Sequence, residues 1–366
     1  MPPALHSLIP CGSDTPKLAS AFFTPGRARW PAGLLLPPAA AWAVWLLSAG
    51  CPAKGAVPGA PTPAPPQQTI AGALAGAGNS LSVPGLDGWY FLEKELRHLI
   101  APKFWGDGVA AVPGDPLPAI LDFKEQLDRA GVDLLLVPVP AKSVICPDKL
   151  PWPPQTGGMD REFYKVLESH GVKVLDLTDT FLASKGNVYC RQDSHWSPEG
   201  IELAAKEIAG RIRDLPWVKG RPKIPMESEV LPLTITGDLA PPGAAPETFP
   251  ARFVRPAGSK QPIPPSKESP LILLGDSHNL IFHAGGDMHA EGAGLPDLLA
   301  LELGFPVDVV AVRGSGATPA RRNLARRKDN LTGRRLVVWC FSSREFTEGQ
   351  GWSKVPVVKT PAQSGP

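Results

Sequence analysis

Leu271-Ile-Leu-Leu-Gly-Asp-Ser-His-Asn-Leu280 is the stretch of sequence that decides the fold. Its four leading apolar residues, bounded by Pro270 and Gly275, predict a short strand buried in the centre of a parallel sheet. Gly275 breaks this strand and delivers Ser277 into a tight turn, after which we predict a helix. A serine at the end of such a strand lies where α/β enzymes keep their nucleophile. The stretch therefore predicts an α/β protein with Ser277 at one edge of its sheet.

A serine hydroxyl becomes reactive only beside a base, and the base needs an acid that fixes its tautomer. Asp193-Ser-His195-Trp offers both groups upstream of Ser277. Ser197 and Pro198 follow as an N-cap and a first helical residue, so the acid and base lie in a loop just before a helix. Side chains two apart in an extended loop point to the same side. We predict a site built from Ser277, His195 and Asp193; the alternative is a surface loop or a satisfied polar pair.

The flanking sequence repeats a helix-then-strand pattern that favours a parallel sheet with helices on both faces. Apolar residues at helical spacing are closed by glycine, and short runs of branched residues follow. The predicted helices are residues 93–99, 119–130, 163–170, 201–212, 295–303 and 319–328, and the predicted strands are residues 89–92, 132–139, 172–177, 271–274, 307–312 and 336–341.

The N-terminal segment predicts export. No charged residue occurs from Trp30 to Pro52, which is long enough to cross a bilayer at about 1.5 Å per residue. Lys17, Arg27 and Arg29 precede it, which leaves the N-terminus in the cytoplasm and the rest outside. An uncleaved anchor, a lipoprotein cleavage box at residues 47–51 and a cleaved signal peptide are all compatible with this pattern. Each of them places the domain outside the cytoplasm, and two of them tether it to a membrane.

These features divide the chain into a leader at residues 1–51, a linker at 52–78, a folded domain at 79–350 and a tail at 351–366. The linker is rich in proline and alanine and cannot bury enough apolar surface to fold. Within the domain, residues 214–270 are rich in proline and are predicted to be an irregular insert. Its one notable turn is Thr236-Gly-Asp-Leu239, and the insert has no assigned role.

Composition excludes one class of partner. The chain has 43% hydrophobic residues and a net charge of only +2, so it can bury a large core but has no basic field for nucleic acid. One local basic cluster is compatible with a solvated helix face, or with contact to an anionic polysaccharide or phospholipid surface. This cluster comprises Arg321, Arg322, Arg326, Arg327, Lys328, Arg334 and Arg335.

Five motifs in a fixed order resemble those of a known family. They are Gly88-Trp-Tyr-Phe, Val137-Pro-Val-Pro-Ala-Lys142, Asp193-Ser-His-Trp-Ser-Pro-Glu-Gly200, Gly275-Asp-Ser277 and Val338-Trp-Cys-Phe-Ser-Ser-Arg344. From about residue 84 to 346 the sequence resembles the AlgJ and AlgX branch of the SGNH-hydrolase-like proteins, which are exported alginate O-acetyltransferases. The resemblance implies a three-layer α/β fold with a mostly parallel sheet. It also implies a triad in permuted order, with Asp-x-His before Ser.

What the resemblance implies about chemistry is acetyl transfer in the periplasm. Ser277 would be the nucleophile, His195 the general base and Asp193 its orienting acid. The acceptor would be a polysaccharide hydroxyl, the donor a membrane-bound acyltransferase, and no cofactor is expected. The chain ends before the additional C-terminal carbohydrate-binding module of AlgX would fit, so we expect it to be more like AlgJ. Two alternatives stay open: an esterase or deacetylase that passes the acyl group to water, and a non-catalytic carbohydrate-binding subunit.

The second oxyanion donor is the least defined part of the predicted site, because the sequence has no clear Asn-bearing block. The backbone N–H of Ser277 is one candidate, and those of Gly314 and Gly316 are others. Arg344 faces the pocket or pairs with a carboxylate at the edge of the core. Lys142 is predicted to hold the loop after its strand.

The remaining histidines and cysteines carry secondary predictions. A metal site is the less favoured interpretation of His278, His283, His289, Asp276 and Asp287, because their spacing fits no compact motif and a surface helix and loop would show the same residues. Cys146 and Cys190 each follow a strand at the predicted active edge. We predict that these two cysteines form a disulfide and that Cys340 is a buried thiol.

Overall fold

A computed structural model describes residues 69–109, 114–153 and 157–359 of the 366-residue chain. The predicted leader, most of the predicted linker and the end of the tail lie outside these ranges. The anchor and signal-peptide predictions therefore concern residues outside the described part of the chain. In the described part of the chain, no helix is both long and apolar enough to span a membrane.

The secondary structure follows the alternating pattern of the sequence. The strands are β1 (Ser82–Pro84), β2 (Tyr90–Leu92), β3 (Asp133–Val139), β4 (Lys173–Val174), β5 (Met226–Ile235), β6 (Glu247–Pro256), β7 (Leu271–Gly275), β8 (Asp308–Ala311) and β9 (Leu336–Ser342). The α-helices are α1 (Ile70–Ala77), α2 (Glu93–Leu99), α3 (Pro116–Arg129), α4 (Lys142–Ile145), α5 (Gly158–Ser169), α6 (Thr178–Leu182), α7 (Pro198–Ile212), α8 (Pro216–Lys219), α9 (Leu295–Leu303), α10 (Thr318–Arg326) and α11 (Glu345–Glu348). Single 3-10 turns occur at Pro147–Lys149, Ser277–Asn279 and Gly286–Met288.

Five of the described strands form the central sheet, in the order β4-β3-β9-β7-β8. All of its pairs are parallel, so the carboxyl ends of the strands meet at one edge. β7 lies between β9 and β8 and is buried at every residue, as its unbroken apolar run predicts. The predicted parallel α/β sheet is confirmed.

Helices cover both faces of this sheet, which makes three layers. Successive residues of a strand point to opposite faces, so Leu271 and Leu273 join one core while Ile272 and Leu274 join the other. The first core is closed by α7 and α9, and the second by α3, α5 and α10. The three-layer prediction is therefore confirmed.

The helix that follows the acid–base loop begins as predicted. Ser197 is its N-cap, and the hydroxyl of Ser197 accepts a hydrogen bond from the N–H of Gly200 at 3.2 Å. Pro198 occupies the first helical position, where its missing N–H costs nothing. Ile201, Ala204 and Ile208 are fully buried along one face. The start of α7 thereby fixes the end of the loop that carries Asp193 and His195.

Three predicted elements differ from the structure. The helix expected after Ser277 is only the 3-10 turn Ser277–Asn279, because the chain turns away at Phe282, where φ is positive. The strand predicted at residues 172–177 is paired over only Lys173–Val174. The predicted linker ended at residue 78, whereas α1 is capped by Thr69 and buries two residues against the main core.

The insert at residues 214–270 is not irregular, and that prediction is wrong. β5 and β6 pair antiparallel over ten residues each, and both contact α9. Most of β5 is exposed. A strand without a buried face needs no alternation of apolar and polar residues, and that alternation is the pattern by which a half-buried strand is predicted. Pro232 and Pro250 lie opposite each other within it, and proline ordinarily argues against a strand.

The predicted basic cluster is not a single surface. Arg321 is fully buried, with its guanidinium 5.1 Å from the ring of Trp339, and it donates to the carbonyl of Ala119 at 3.2 Å. Arg327 and Arg334 both pair with the buried carboxylate of Asp308. Both surface interpretations are therefore wrong for Arg321 and Arg334, which are buried, while Arg327 is partly exposed and paired with Asp308.

Candidate active site

The turn that carries Ser277 is shaped by the two residues before it. A Cβ at Gly275 would overlap the carbonyl oxygen of Cys340 in the neighbouring strand β9, so only glycine fits there. The buried carboxylate of Asp276 then accepts from the N–H of His278 at 2.9 Å and from the N–H of Ser342 at 2.8 Å. These bonds tie the ends of β7 and β9 together and direct the Ser277 side chain outward from the sheet edge.

The structure brings together the three residues chosen from the sequence. Nε2 of His195 lies 2.7 Å from Oγ of Ser277, and Nδ1 of His195 lies 2.6 Å from Oδ1 of Asp193. Ser277 and His195 are 82 positions apart in the chain. All three side chains are nearly excluded from solvent, with residual exposures of 1% for Asp193, 5% for His195 and 6% for Ser277.

Electrostatics favour an ionised acid beside a basic imidazole. Burial acts to raise the pKa of Asp193, but hydrogen bonds from His195 and His289 hold it well below its usual range. Burial alone would lower the pKa of His195, but the hydrogen bond and charge of Asp193 raise it above its ordinary value. An ionised carboxylate only accepts hydrogen bonds. Nδ1 of neutral His195 therefore carries the proton, and its Nε2 is free to take the proton of Ser277.

Asp193 is held by more groups than the sequence revealed. Its Oδ1 also accepts from the N–H of His195 at 3.0 Å. Its Oδ2 accepts from the N–H of Asp238 at 3.1 Å and from Nε2 of His289 at 3.0 Å. Asp238 belongs to the Thr236-Gly-Asp-Leu239 turn of the insert, and His289 belongs to the loop after Ser277. The sequence contained both signals, but nothing local joined them to Asp193.

Two further groups fix the loop between residues 190 and 195. Nζ of Lys142, which is fully buried, donates to the carbonyls of Tyr90, Arg191 and Asp193 at 2.6, 3.1 and 3.0 Å. Lys142 has a structural role, as predicted, but the segments it holds are β2 and the acid–base loop and not the loop after its own strand. On the other side, the carboxylate of Glu247 in β6 accepts from the N–H groups of Arg191 and Gln192, both at 2.9 Å. The insert therefore supports the acid–base loop.

A cavity of about 300 Å³ opens over Ser277 and His195. Its other lining residues are Leu81, Leu92, Lys94, Ser194, Asp238, Met288, Arg313, Gly314, Arg344, Glu345 and Glu348. Among the candidate oxyanion donors, Gly314 lines this cavity, whereas Gly316 packs against Phe341 at the end of β9. Burial and the nearby charge of Asp276 raise the pKa of Glu345 to about 7.

Arg344 lies at the cavity wall, and 8% of its surface is exposed. Within the described residues its guanidinium forms no ion pair with a carboxylate at salt-bridge distance. Of the two interpretations of this residue, the geometry favours the one in which it faces the pocket. A cation there is available to an oxyanion or to an anionic substrate.

The histidines considered for a metal are paired with separate carboxylates. His278 contacts Asp276, His283 contacts Asp297, His289 contacts Asp193, and Asp287 pairs with Arg313. In the described part of the chain, one other group, Asp193, His195 and Asp238, places possible ligand atoms within 4.8 Å of one another. These atoms already take part in the hydrogen bonds of the acid–base loop, so we assign no metal to them.

The predicted disulfide is wrong. Cys146 and Cys190 are both free and buried, and Sγ of Cys190 donates to the carbonyl of Trp196 at 3.5 Å. Burial raises the pKa of Cys146 to about 12 and that of Cys190 well above its ordinary value. The thiol of Cys190 thus fills a packed position inside the loop. Cys340 is a buried thiol, as predicted.

The fold is that of an SGNH-hydrolase-like protein. A family described as "SGNH hydrolase-like domain, acetyltransferase AlgX" matches residues 83–343, well over half of the sequence, and the chain belongs to this family.

Curated relatives are similar over parts of their length. The probable alginate O-acetylase AlgJ of Pseudomonas aeruginosa is 29% identical over 137 residues, 36% of this chain and 33% of that protein. The protein of the same name from Pseudomonas putida is 25% identical over 223 residues, 55% of each chain. The chain thus spans between a third and about half of the length of these relatives.

Solved structures share the fold. The O-acetyltransferase domain of Pseudomonas putida AlgJ matches with a TM-score of 0.56 and 23% identity, over 73% of this chain and 92% of that one. Pseudomonas aeruginosa AlgX matches with a TM-score of 0.52 and 18% identity, over 72% of this chain and 62% of that one. At these identities the likeness concerns the fold alone.

Proposed function

We propose that this chain is an exported O-acetyltransferase that carries an acetyl group on Ser277 and passes it to hydroxyls of an extracellular polysaccharide. The observation that carries the proposal is the 2.7 Å contact between Nε2 of His195 and Oγ of Ser277, backed by the 2.6 Å contact of His195 with Asp193. Family membership supports acetyl transfer as the reaction. The similarity to alginate O-acetylases supports alginate, or a similar polysaccharide, as the acceptor.

The first half-reaction loads the serine. Oγ of Ser277 attacks the carbonyl carbon of the acetyl donor while Nε2 of His195 takes the hydroxyl proton. The carbonyl becomes a tetrahedral oxyanion, for which Arg344 and the N–H of Gly314 in the same cavity are the proposed donors. The oxyanion then collapses, the donor's leaving group departs with the proton from His195, and the acetyl ester of Ser277 remains.

The second half-reaction transfers the acetyl group from Ser277 to the sugar. A sugar hydroxyl enters the cavity and gives its proton to Nε2 of His195 as its oxygen attacks the acetyl ester. Collapse of the second oxyanion returns the proton to Oγ of Ser277 and releases the acetylated sugar. Asp193 stabilises the imidazolium formed in both halves. Water in place of the sugar would make the chain an esterase, so the acceptor decides between the two activities.

The cellular setting is also part of the proposal. The uncharged stretch from Trp30 to Pro52 supports export and a membrane tether. Residues 52–68 would then be a linker to the folded domain. A membrane-bound acyltransferase that delivers acetyl groups outward is the proposed donor, because the domain lies beyond the reach of cytoplasmic acyl carriers.

Labelling and transfer assays test the proposal on the full-length chain. A serine-directed sulfonyl fluoride should modify Ser277, with the site located by peptide mass spectrometry. An activated acetyl ester supplied with uronate oligosaccharides should give acetylated product, and Ser277→Ala should abolish both signals. Ser169→Ala changes an exposed serine and serves as the control.

Each remaining outcome of this experiment has a defined meaning. Hydrolysis of the ester without any acetylated sugar would favour an esterase or deacetylase. Absence of label and turnover, with sugar binding retained, would favour a non-catalytic carbohydrate-binding subunit.

A further inference from the structure

The side chain of His289 reaches Asp193 from the loop that follows the nucleophile. Its Nε2 lies 3.0 Å from Oδ2 of Asp193, and 17% of its side chain is exposed. Asp193 is therefore shared by two histidines, with His195 on Oδ1 and His289 on Oδ2. His289 is not among the residues that line the cavity over Ser277, so it acts on the reaction only through Asp193.

The backbone at His289 is strained in a way that aims its ring. His289 has φ +68° and ψ −45°, and the N–H of Ala290 donates to the carbonyl of Met288 at 2.9 Å. This is a γ-turn with positive φ, a rare conformation for a residue with a side chain. Further bonds hold the turn, including the N–H of Phe282 to the carbonyl of Met288 at 2.8 Å. Strain that is held in place by its surroundings is typical of functional segments.

The proton on His289 can be assigned from its partner. Asp193 is ionised, so its oxygens only accept, and Nε2 of His289 must be the donor. Without that donor, Oδ2 would keep only the N–H of Asp238. The donor competes with His195 for the electron density of the same carboxylate.

We propose that His289 is a positioning residue that fixes the Asp193 carboxylate and limits how strongly it supports protonation of His195. This assignment rests on the proposed function of Ser277 and His195. It has a directional consequence. Removing the donor leaves Asp193 a stronger acceptor for His195. His195 then becomes a stronger base.

The other charged groups around this pair stay the same when His289 is changed. His195 is faced by Asp193, Asp238 and Asp276, by the His278 ring at 5.0 Å between centroids, and across the cavity by Arg344 and Glu345. His289 is faced by Asp193 and by the ring of Phe282 at 6.0 Å. A changed pH profile in a His289 variant is therefore attributable to this one contact.

The test measures acylation of Ser277 by an activated acetyl ester against pH, using the full-length chain. His289→Leu should move the acidic limb to higher pH by roughly 0.5–1 unit, because His195 then loses its proton at higher pH. His289→Gln places an N–H close to the position of Nε2 and should restore the limb. His283→Leu breaks the matched His283–Asp297 contact in the same loop, and should leave the limb unchanged.

The outcomes separate this inference from the proposed function. If Ser277→Ala retains turnover, the proposed function fails whatever His289 does. If Ser277→Ala is inactive but His289→Leu lowers the rate at all pH values without moving the limb, His289 has only a packing role and the inference is overturned. Should His289→Leu fail to fold by circular dichroism, His289→Asn replaces it, since its amide is too short to reach Asp193. An unmoved limb in that variant would equally overturn the inference.

Discussion

At the scale of single residues, Lys142 holds the acid–base loop through a buried ammonium. Its ammonium is fully buried, donates to three carbonyls and lies 5.2 Å from the ring of Trp89. Burial lowers the pKa of Lys142, so the protein bears a desolvation cost to keep this charge. The charge is retained because all three of its N–H groups find carbonyl partners, although the carbonyl of Arg191 also accepts from the N–H of Tyr90 at 3.0 Å.

Lys142→Met should therefore destabilise the domain although it keeps the length of the side chain. Three carbonyls would lose the bond from Nζ, although that of Arg191 keeps another donor, the N–H of Tyr90. These lost bonds predict a decrease of about 2–4 kcal/mol in the free energy of unfolding. Urea denaturation followed by circular dichroism measures this. Lys149→Met removes only ion pairs with Asp87 and Asp148, which are exposed, and should leave the free energy of unfolding nearly unchanged because such surface pairs contribute little. Equal losses in the two variants would contradict the assigned role of Lys142.

Glu345 gives a prediction about pH and stability. The pKa of Glu345 in the folded state, about 7, lies above that of an unfolded glutamate. The stability that protonated Glu345 contributes to the folded state is therefore fully present below about pH 4.5 and is lost as pH rises through 7. Glu345→Gln removes the ionisation. The free energy of unfolding of the variant should equal that of the wild type at pH 4.5 and exceed it at pH 8.5 by on the order of 2–3 kcal/mol.

Urea denaturation at pH 4.5 and pH 8.5 measures the effect of Glu345→Gln. Glu125→Gln, at an exposed helical position paired with Arg129, provides the control. A Glu345→Gln effect of the same size at both pH values would mean that ionisation of Glu345 is not its cause.

The sequence identified the residues of the site that carry a local signature. Asp193 and His195 are two positions apart before a capped helix, and Ser277 follows an apolar strand, so the two motifs together predicted the site although neither did so alone. His289 and Glu247 were not recognisable, because they meet the acid–base loop across 96 and 55 positions of sequence. Nothing in the sequence near either residue distinguishes a side chain that supports the loop from one that faces solvent.

At the scale of elements, the β5–β6 ribbon links a peripheral feature to the chemistry. Glu247 at the start of β6 accepts from two successive N–H groups of the acid–base loop. The N–H of Asp238, between the two strands, reaches Asp193 itself. The ribbon therefore determines how well His195 is oriented, although none of its strand residues lines the cavity over Ser277.

Glu247→Gln tests this link. An amide has one acceptor oxygen where the carboxylate has two, so one N–H of the loop loses its partner, at about 1 kcal/mol. If Asp193 and His195 act as proposed, misplacing them should slow acylation of Ser277 by roughly tenfold or more. Stopped-flow measurement with an activated acetyl ester follows the rate. Glu229→Gln alters an exposed carboxylate of the same ribbon and should have no effect on acylation. A rate unchanged in Glu247→Gln would remove the ribbon from the account of the site.

Elements were predictable in proportion to their burial. Helices α2, α7 and α9 were found because an apolar face, a cap or a closing glycine marks each one, and β3, β7 and β9 because both of their faces are covered. The exposed ribbon carried no such pattern. The 3-10 turn after Ser277 was mistaken for a helix because its end depends on backbone contacts with residues 288–293, which only the folded chain brings close.

At the scale of the whole molecule, helix α1 places the N-terminal boundary of the folded domain before residue 79, where the sequence predicted it. Ile70 and Ala73 are 4% and 5% exposed and belong to the main core, and α1 contacts α2 and β1. The sequence placed residues 70–77 in the linker because their glycine and alanine content resembles the stretch before them. The position of the boundary has a measurable consequence for truncated chains.

A chain that begins at residue 79 should be less stable than one that begins at residue 67. Loss of the buried Ile70 and its neighbours predicts a difference of about 2–3 kcal/mol in the free energy of unfolding. The chain beginning at residue 67 keeps the cap of α1 at Thr69 and serves as the reference. Urea denaturation of both proteins gives the comparison, and identical midpoints and slopes would show that α1 adds nothing to the fold.

The three buried thiols have a consequence for how the domain is made. Cys146, Cys190 and Cys340 are closed off from oxidants, and their raised pKa values keep them in the unreactive protonated form. The maturation of the domain thus requires no oxidoreductase and no isomerase to sort cysteine pairs. A domain that folds in a reducing environment and one that folds in an oxidising environment would therefore keep these three cysteines in the same covalent state.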